Sequence, residues 1–184
     1  ILENVERIAQ PEYQPNADDI MHVRLATIGM EEYNIDVGPE KWRVCDPGGV
    51  KGKHDNWLPH FEDSGAVVFV CAISSFNEVL RDEPGTNKMV EALKSFESIA
   101  KNGILAKVAI VVLFNKCDVL AKKLKKGQVQ VSQYFPKFDG NNEVQDVIRY
   151  FASQFSKLNA FPSRKIYIHS TTAISKSAVW LMTQ

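Results

Sequence analysis

The chain has 184 residues, 45% of them hydrophobic and 24% charged, which fits one globular domain with a sizeable core. Lys plus Arg equals Asp plus Glu at 22 each, so nothing in the charge balance argues for a nucleic acid or an acidic surface as partner. Cys45, Cys71 and Cys117 lack metal-ligand or disulfide-scaffold spacing, the four histidines show no zinc pattern, and no stretch has the length of a membrane span or the form of a signal peptide.

In chain order, Leu2, Val5, Ile8 and Ala9 fall on one helical face. Pro11 and Pro15 interrupt, and Asn16 is placed to cap a short second helix running to about His22. Tyr33, Ile35 and Val37 alternate with Glu32, Asn34 and Asp36, predicting a strand with one wet face; Gly38-Pro39 turns it, and Trp42 to Cys45 returns. The branched, apolar runs Ala66 to Ile73 and Val108 to Phe114 read as strands buried on both faces. Met89, Leu93, Phe96 and Ile99 mark a helix between them. The run Lys122, Lys123, Lys125, Lys126 reads first as a solvated helix face or loop, with a phosphate or lipid patch as the alternative. Val144, Val147, Ile148, Phe151 and Phe155 mark a further helix leading into the strand Ile166 to Ile168. Alternation of this kind predicts an α/β fold, a mostly parallel sheet covered on both faces.

Ligands of such sheets bind at the carboxyl ends of strands, so the residues after Cys45, Phe114 and Ile168 are the places to search. Asn115-Lys116-Cys117-Asp118 follows the second apolar run. A carboxylate there can accept from the N1–H and exocyclic amine of guanine, a donor pair adenine lacks, while Asn115 joins loops and the Lys116 stem lies across the purine. An ordinary polar helix start, with Asp118 near the positive helix end, is the plainer alternative. Asp46-Pro47-Gly48-Gly49 is first a turn signal, but Asp46 can also hold a water of a magnesium shell and the bare backbone of Gly49 can approach a terminal phosphate. Ser170-Thr171-Thr172-Ala173 is a small-residue loop whose backbone N–H can reach a base oxygen.

These motifs in series resemble the guanine-nucleotide GTPases, and the flanks narrow the resemblance to heterotrimeric G-protein α subunits. Arg7-Ile8-Ala9-Gln10-Pro11 and Asp19 through Gly29 look like the junction between that family's helical insertion and its GTPase core. Trp57, Phe61-Glu62, Asn87-Lys88-Met89 and Tyr134-Phe135-Pro136 also fall where its pattern places them. The resemblance implies a Ras-like P-loop GTPase core over 23–184, with 1–22 the end of the helical insertion, and GTP or GDP with Mg2+ as ligands. It places Met21, His22, Val23, Arg24, Asp46, Pro47, Gly48, Gly49, Val50, Asn115, Lys116, Cys117, Asp118 and Ala173 at the nucleotide. Arg24 would be the arginine supplied in cis to the transition state, and Thr27 with Asp46 would serve magnesium. Asp46 to Gly49 would open the second switch, and Trp57 would lie on its helix. A βγ dimer, a receptor and an effector are the implied partners, at the cytoplasmic face of the plasma membrane through lipidation.

Four departures qualify this. Val50 stands where the family carries its water-orienting glutamine, and a valine side chain cannot hydrogen-bond the attacking water. Pro47 removes a backbone N–H beside the switch, and His54, Asp55 and Asn56 replace a basic run before Trp57. No Gly-x-x-x-x-Gly-Lys-Ser/Thr is present, Gly52-Lys53 being followed by His54, so the first strand and helix of the core are expected to be missing. With Ile1 opening the chain, a fragment is expected, a degenerate product being the alternative. Ala178 to Gln184 reads as a short, divergent terminal helix. The leading expectation is a GTP-dependent signalling switch with impaired hydrolysis; a pseudo-GTPase interaction module without turnover is the second, and a nucleotide-binding α/β domain outside this family the third.

Overall fold

Ten regular elements emerge from the patterns above in the computed structural model, which describes residues 4–22, 29–47, 61, 64–125, 127 and 129–174. The side chains of Asp18, Met21 and His22 also lie outside the described part. By contact density the chain forms two units, Ile1–Trp57 and Leu58–Gln184.

In the first unit, α1 spans Val5–Ile8 and α2 Ala17–His22. Asn16 starts α2 as expected: its Oδ1 accepts from the Asp19 N–H at 2.9 Å, and Asp19 Oδ2 accepts from the Asn16 N–H at 2.9 Å. Each side chain thus satisfies a backbone donor at the helix start. Asp19 also takes a two-pronged bond from Arg7, at 2.5 and 2.9 Å. Strand β1 (Met30–Val37) and β2 (Glu40–Pro47) pair antiparallel, Tyr33 opposite Val44 and Ile35 opposite Trp42, around a turn in which Gly38 has φ +60°. Tyr33, Ile35, Trp42 and Val44 therefore share one face, yet all four are exposed, Trp42 by 51%. The alternation predicted one wet face; among the described residues both are wet.

The second unit is a three-stranded parallel sheet in the order β3-β4-β5, with β3 at Ala66–Ala72, β4 at Ala109–Asn115 and β5 at Ile166–Ser170. Helix α3 (Lys88–Lys101) connects β3 to β4; α4 (Cys117–Lys125) and α5 (Val144–Lys157) connect β4 to β5. Asn87 caps α3 by accepting from the N–H groups of Met89 and Val90. The apolar stripes bury Met89, Phe96, Ile99, Val147, Phe151 and Phe155 against one face of the sheet. Phe155 is the hub: its ring lies 4.9 Å from that of Phe96, 5.3 Å from Phe114 and 6.0 Å from Phe69. The expectation of burial on both faces is corrected here. Val68 and Val70 are 57% and 59% exposed, and the register puts Tyr167, also exposed, on their face. Helices α3 and α5 pack on the other side, through Phe96 and Phe155 against Phe69 and Phe114, so the branched-residue signal reported a strand but not the number of its covered faces.

Arg164 holds the bottom of this unit. The residue is 5% exposed, and its guanidinium donates to the carbonyls of Ala100 (2.6 Å) and Leu105 (3.3 Å) and to Asn159 Oδ1 (2.6 and 3.0 Å). A cation is well suited to the carbonyl end of α3, where backbone acceptors lack partners within the helix. Burial lowers its pKa.

Candidate nucleotide-recognition loop

Two neighbouring parallel strands deliver their following loops to the same edge of the sheet, and here the loops are joined. The last ladder pair is Phe114 with Ser170. Beyond it, the Thr171 N–H donates to the Phe114 carbonyl at 2.8 Å, and the Cys117 N–H donates to the Thr171 carbonyl at 3.2 Å. Asn115 closes the clasp from its side chain: Oδ1 accepts from the Lys116 N–H at 2.7 Å and from the Ala173 N–H at 2.9 Å. The loop-tying role read for Asn115 is thus visible atom by atom.

Lys116 has φ +64°, in the left-handed region that a residue with a Cβ seldom enters. Such strain persists only where surrounding bonds enforce it, and it concentrates at functional positions. Its effect is to turn the chain sharply from β4 into α4. Cys117 begins that helix with its thiol donating to the Phe114 carbonyl at 3.3 Å, and burial raises the thiol pKa. Asp118 follows in the first turn of α4, half-buried. The plain reading of Asp118 as a helix-start residue therefore holds geometrically. That helix start lies at the carboxyl edge of the sheet, where ligands of such folds bind.

Asn115, Lys116, Cys117, Asp118 and Ala173 are thus brought together. Asp46 and Pro47 end β2 in the other unit, Asp46 exposed and pairing in register with Glu31. Met21 and His22 close α2 by their backbone. Val23, Arg24, Thr27, Gly48, Gly49, Val50 and Trp57 lie outside the described residues. Among the described residues there is no group of three His, Cys, Asp or Glu able to hold a metal. The oxygens of Asp46 and Thr27 are nonetheless the donor type magnesium prefers.

Sequence reading passed over two features. Thr171 is buried, and its hydroxyl has no hydrogen-bond partner beside the clasp. The Ser/Thr loop signal covered this position without singling it out. Lys123 belongs to a basic run that reads as solvated, yet its ammonium turns inward onto the segment after β3. The three cysteines are free; burial makes Cys71 inert by pushing its thiol up to about 12. Among the described residues no helix is long and apolar enough to cross a membrane.

A parallel α/β sheet with this clasped, strained loop at its carboxyl edge is part of a Ras-like GTPase core. Comparison with known proteins specifies the group. The model of the G-protein alpha subunit family matches residues 1–183. Similar relatives include the guanine nucleotide-binding protein alpha-2 subunit of Caenorhabditis briggsae, 33% identical over 178 residues that cover 97% of this chain and 49% of the relative. The alpha-3 subunit of Caenorhabditis elegans is 32% identical over 181 residues, 98% of this chain and 51% of that one. The chain belongs to the G-protein α-subunit family, and it spans about half the length of the curated relatives it matches.

Proposed function

We propose that this chain supplies the guanine-reading half of a GTP-dependent switch in receptor-coupled signalling. The observation that carries the reading is the clasp itself. It holds Asp118 on the first turn of a helix at the carboxyl edge of a parallel sheet, beside the small-residue loop Ser170 to Ala173, which Asn115 ties to it through the Ala173 N–H. A carboxylate so placed accepts from the two donors on the guanine edge, whereas adenine would leave it desolvated and unpaired. Lys116, exposed on the left-handed turn, has the free stem needed to cover the purine face. Relatives named guanine nucleotide-binding proteins support the same ligand.

The remaining roles are proposed on the sequence motifs, with family membership in their support. Arg24 neutralises charge on the transferring phosphoryl group, Thr27 and Asp46 serve magnesium, and Gly48 and Gly49 let backbone approach the phosphates. Magnesium, when bound, neutralises phosphate charge. Val50 provides no hydrogen bond to a nucleophilic water, so GTP hydrolysis is slow. Residues 1–22 end the helical insertion and 23–184 belong to the GTPase core. A βγ dimer, a receptor and an effector are the partners, at the inner face of the plasma membrane.

Isothermal titration of the 184-residue chain with GDP and ADP in magnesium buffer tests the central claim. The expected result is weak binding, above micromolar Kd, with GDP preferred and the preference abolished by Asp118→Ala. Equal affinity for both bases would refute it.

A further inference from the structure

We propose that Lys123 is a positioning residue for base recognition: through its ammonium, the helix carrying Asp118 is locked to the segment that follows β3. The inference rests on the guanine-reading assignment of Asp118 above.

Lys123 Nζ donates to the Ser74 carbonyl at 2.8 Å, to Asn77 Oδ1 at 2.8 Å and to Glu78 Oε1 at 2.7 Å. Three donors meet three acceptors, so the ammonium is fully used. Its side chain is 24% exposed, unlike the exposed Lys122 and Lys125 on the same helix. Glu78 in turn receives Lys88 at 2.8 Å. Burial works to raise the Glu78 carboxyl, but the bonds from Lys123 and Lys88 outweigh it and hold the group below the ordinary value.

The consequence for Asp118 is mechanical. Leu120 and Leu124 seat α4 on the core, but apolar contact is non-directional and fixes the depth of the helix better than its rotation on that seat. Two polar anchors remove that freedom. One is the Cys117 N–H on the Thr171 carbonyl, on the β5 side. The other is Lys123, on the β3 side, about 7.5 Å along the axis from Asp118 at 1.5 Å per residue. With only the first, α4 can pivot about its own start and swing the carboxylate. A shift of 1 Å in a recognition group can cost up to ~10²-fold.

Amide chemical-shift titrations of the 184-residue chain with GDP and with ADP test this, comparing wild type with Lys123→Met, Lys123→Arg and the exposed control Lys122→Met, each checked for its denaturation midpoint. The expected result is a GDP-over-ADP preference reduced by about tenfold or more in Lys123→Met. Lys123→Arg, which keeps a cation with several donors, should recover most of the preference, and Lys122→Met should leave it unchanged. In Lys123→Met the amides of residues 117–120 should also exchange faster with solvent while those of β4 do not. A folded Lys123→Met with undiminished preference and unchanged exchange at 117–120 overturns the proposal. If Lys123→Met does not fold, the arginine variant decides: failure to keep the preference while folded overturns it too. A wild-type chain that prefers neither base removes the guanine assignment instead; faster exchange at 117–120 would then still establish the lock.

Discussion

Replacing Asn115 with alanine removes one oxygen on which two backbone N–H groups converge, those of Lys116 at 2.7 Å and Ala173 at 2.9 Å. Each neutral hydrogen bond contributes about 1 kcal/mol net. Both amides belong to exposed residues, so water takes up part of the loss and the direct cost stays near 1–2 kcal/mol in total. A second effect follows from the Lys116 backbone. Its left-handed conformation costs about 1–2 kcal/mol, which the bond to Asn115 helps to offset; without it the turn relaxes and Asp118 leaves its place. Asn115→Asp separates the two functions of the side chain, because a carboxylate oxygen still accepts from both amides. Urea denaturation should therefore show Asn115→Ala less stable by about 1–2 kcal/mol and Asn115→Asp within ~0.5 kcal/mol of wild type. Hydrogen exchange at the Ala173 amide should accelerate only in the alanine variant. An aspartate variant as unstable as the alanine one, or an Ala173 amide indifferent to both, would show that the clasp does not hold the loops together.

Other perturbations test separate features. At Lys116, valine should destabilise by about 1–2 kcal/mol because a branched Cβ fits the left-handed region poorly, while glycine should be near neutral in the same denaturation assay. Arg164→Met strands the carbonyls of Ala100 and Leu105 and the Asn159 side chain, and should cost about 3 kcal/mol by calorimetry. Asp19 has a carboxyl held well below the ordinary range, first by the Arg7 side chain and then by the Asn16 N–H. A depressed pKa contributes stability above the unfolded value near 4 that is lost as pH falls further. Circular dichroism of the first unit should thus show acid-sensitive helix below about pH 4, with the sensitivity removed in Asp19→Asn. Joined to an upstream phosphate-binding half from a relative, Val50→Gln should raise the single-turnover rate of GTP hydrolysis; an unchanged rate would absolve Val50.

How far the sequence disclosed this molecule depends on the range of the interaction concerned. Helices α3 and α5 were legible because Met89, Phe96 and Ile99, like Val147, Phe151 and Phe155, repeat at the helical period and meet the core they imply. Asn16 was legible because a cap acts within three residues. The clasp at Asn115 was legible because the loops that follow neighbouring parallel strands meet at one edge of the sheet. The left-handed turn at Lys116 was not, since lysine carries no preference for it and the enforcing contact includes the Ala173 N–H on Asn115, 58 residues apart in the chain. Lys123 misled for the same reason: its acceptors lie 45 to 49 residues earlier, and within its own run it looks like any solvated lysine. The exposed faces of β1, β2 and β3 escaped because alternation and branching describe a strand without naming its neighbours.

Phe114 belongs to two environments at once, its ring to the core and its carbonyl to the clasp. The ring sits 5.3 Å from Phe155 in the oily interior, while the carbonyl of the same residue receives the Thr171 amide and the Cys117 thiol. No hinge or spacer stands between the two. A repacking of the interior, even one that conserves volume, shifts that carbonyl by about tenths of an ångström, and the shift passes directly to the clasp and to the loop proposed to read the base. Hydrophobic substitutions far from any ligand are therefore expected to alter base preference before they alter melting temperature.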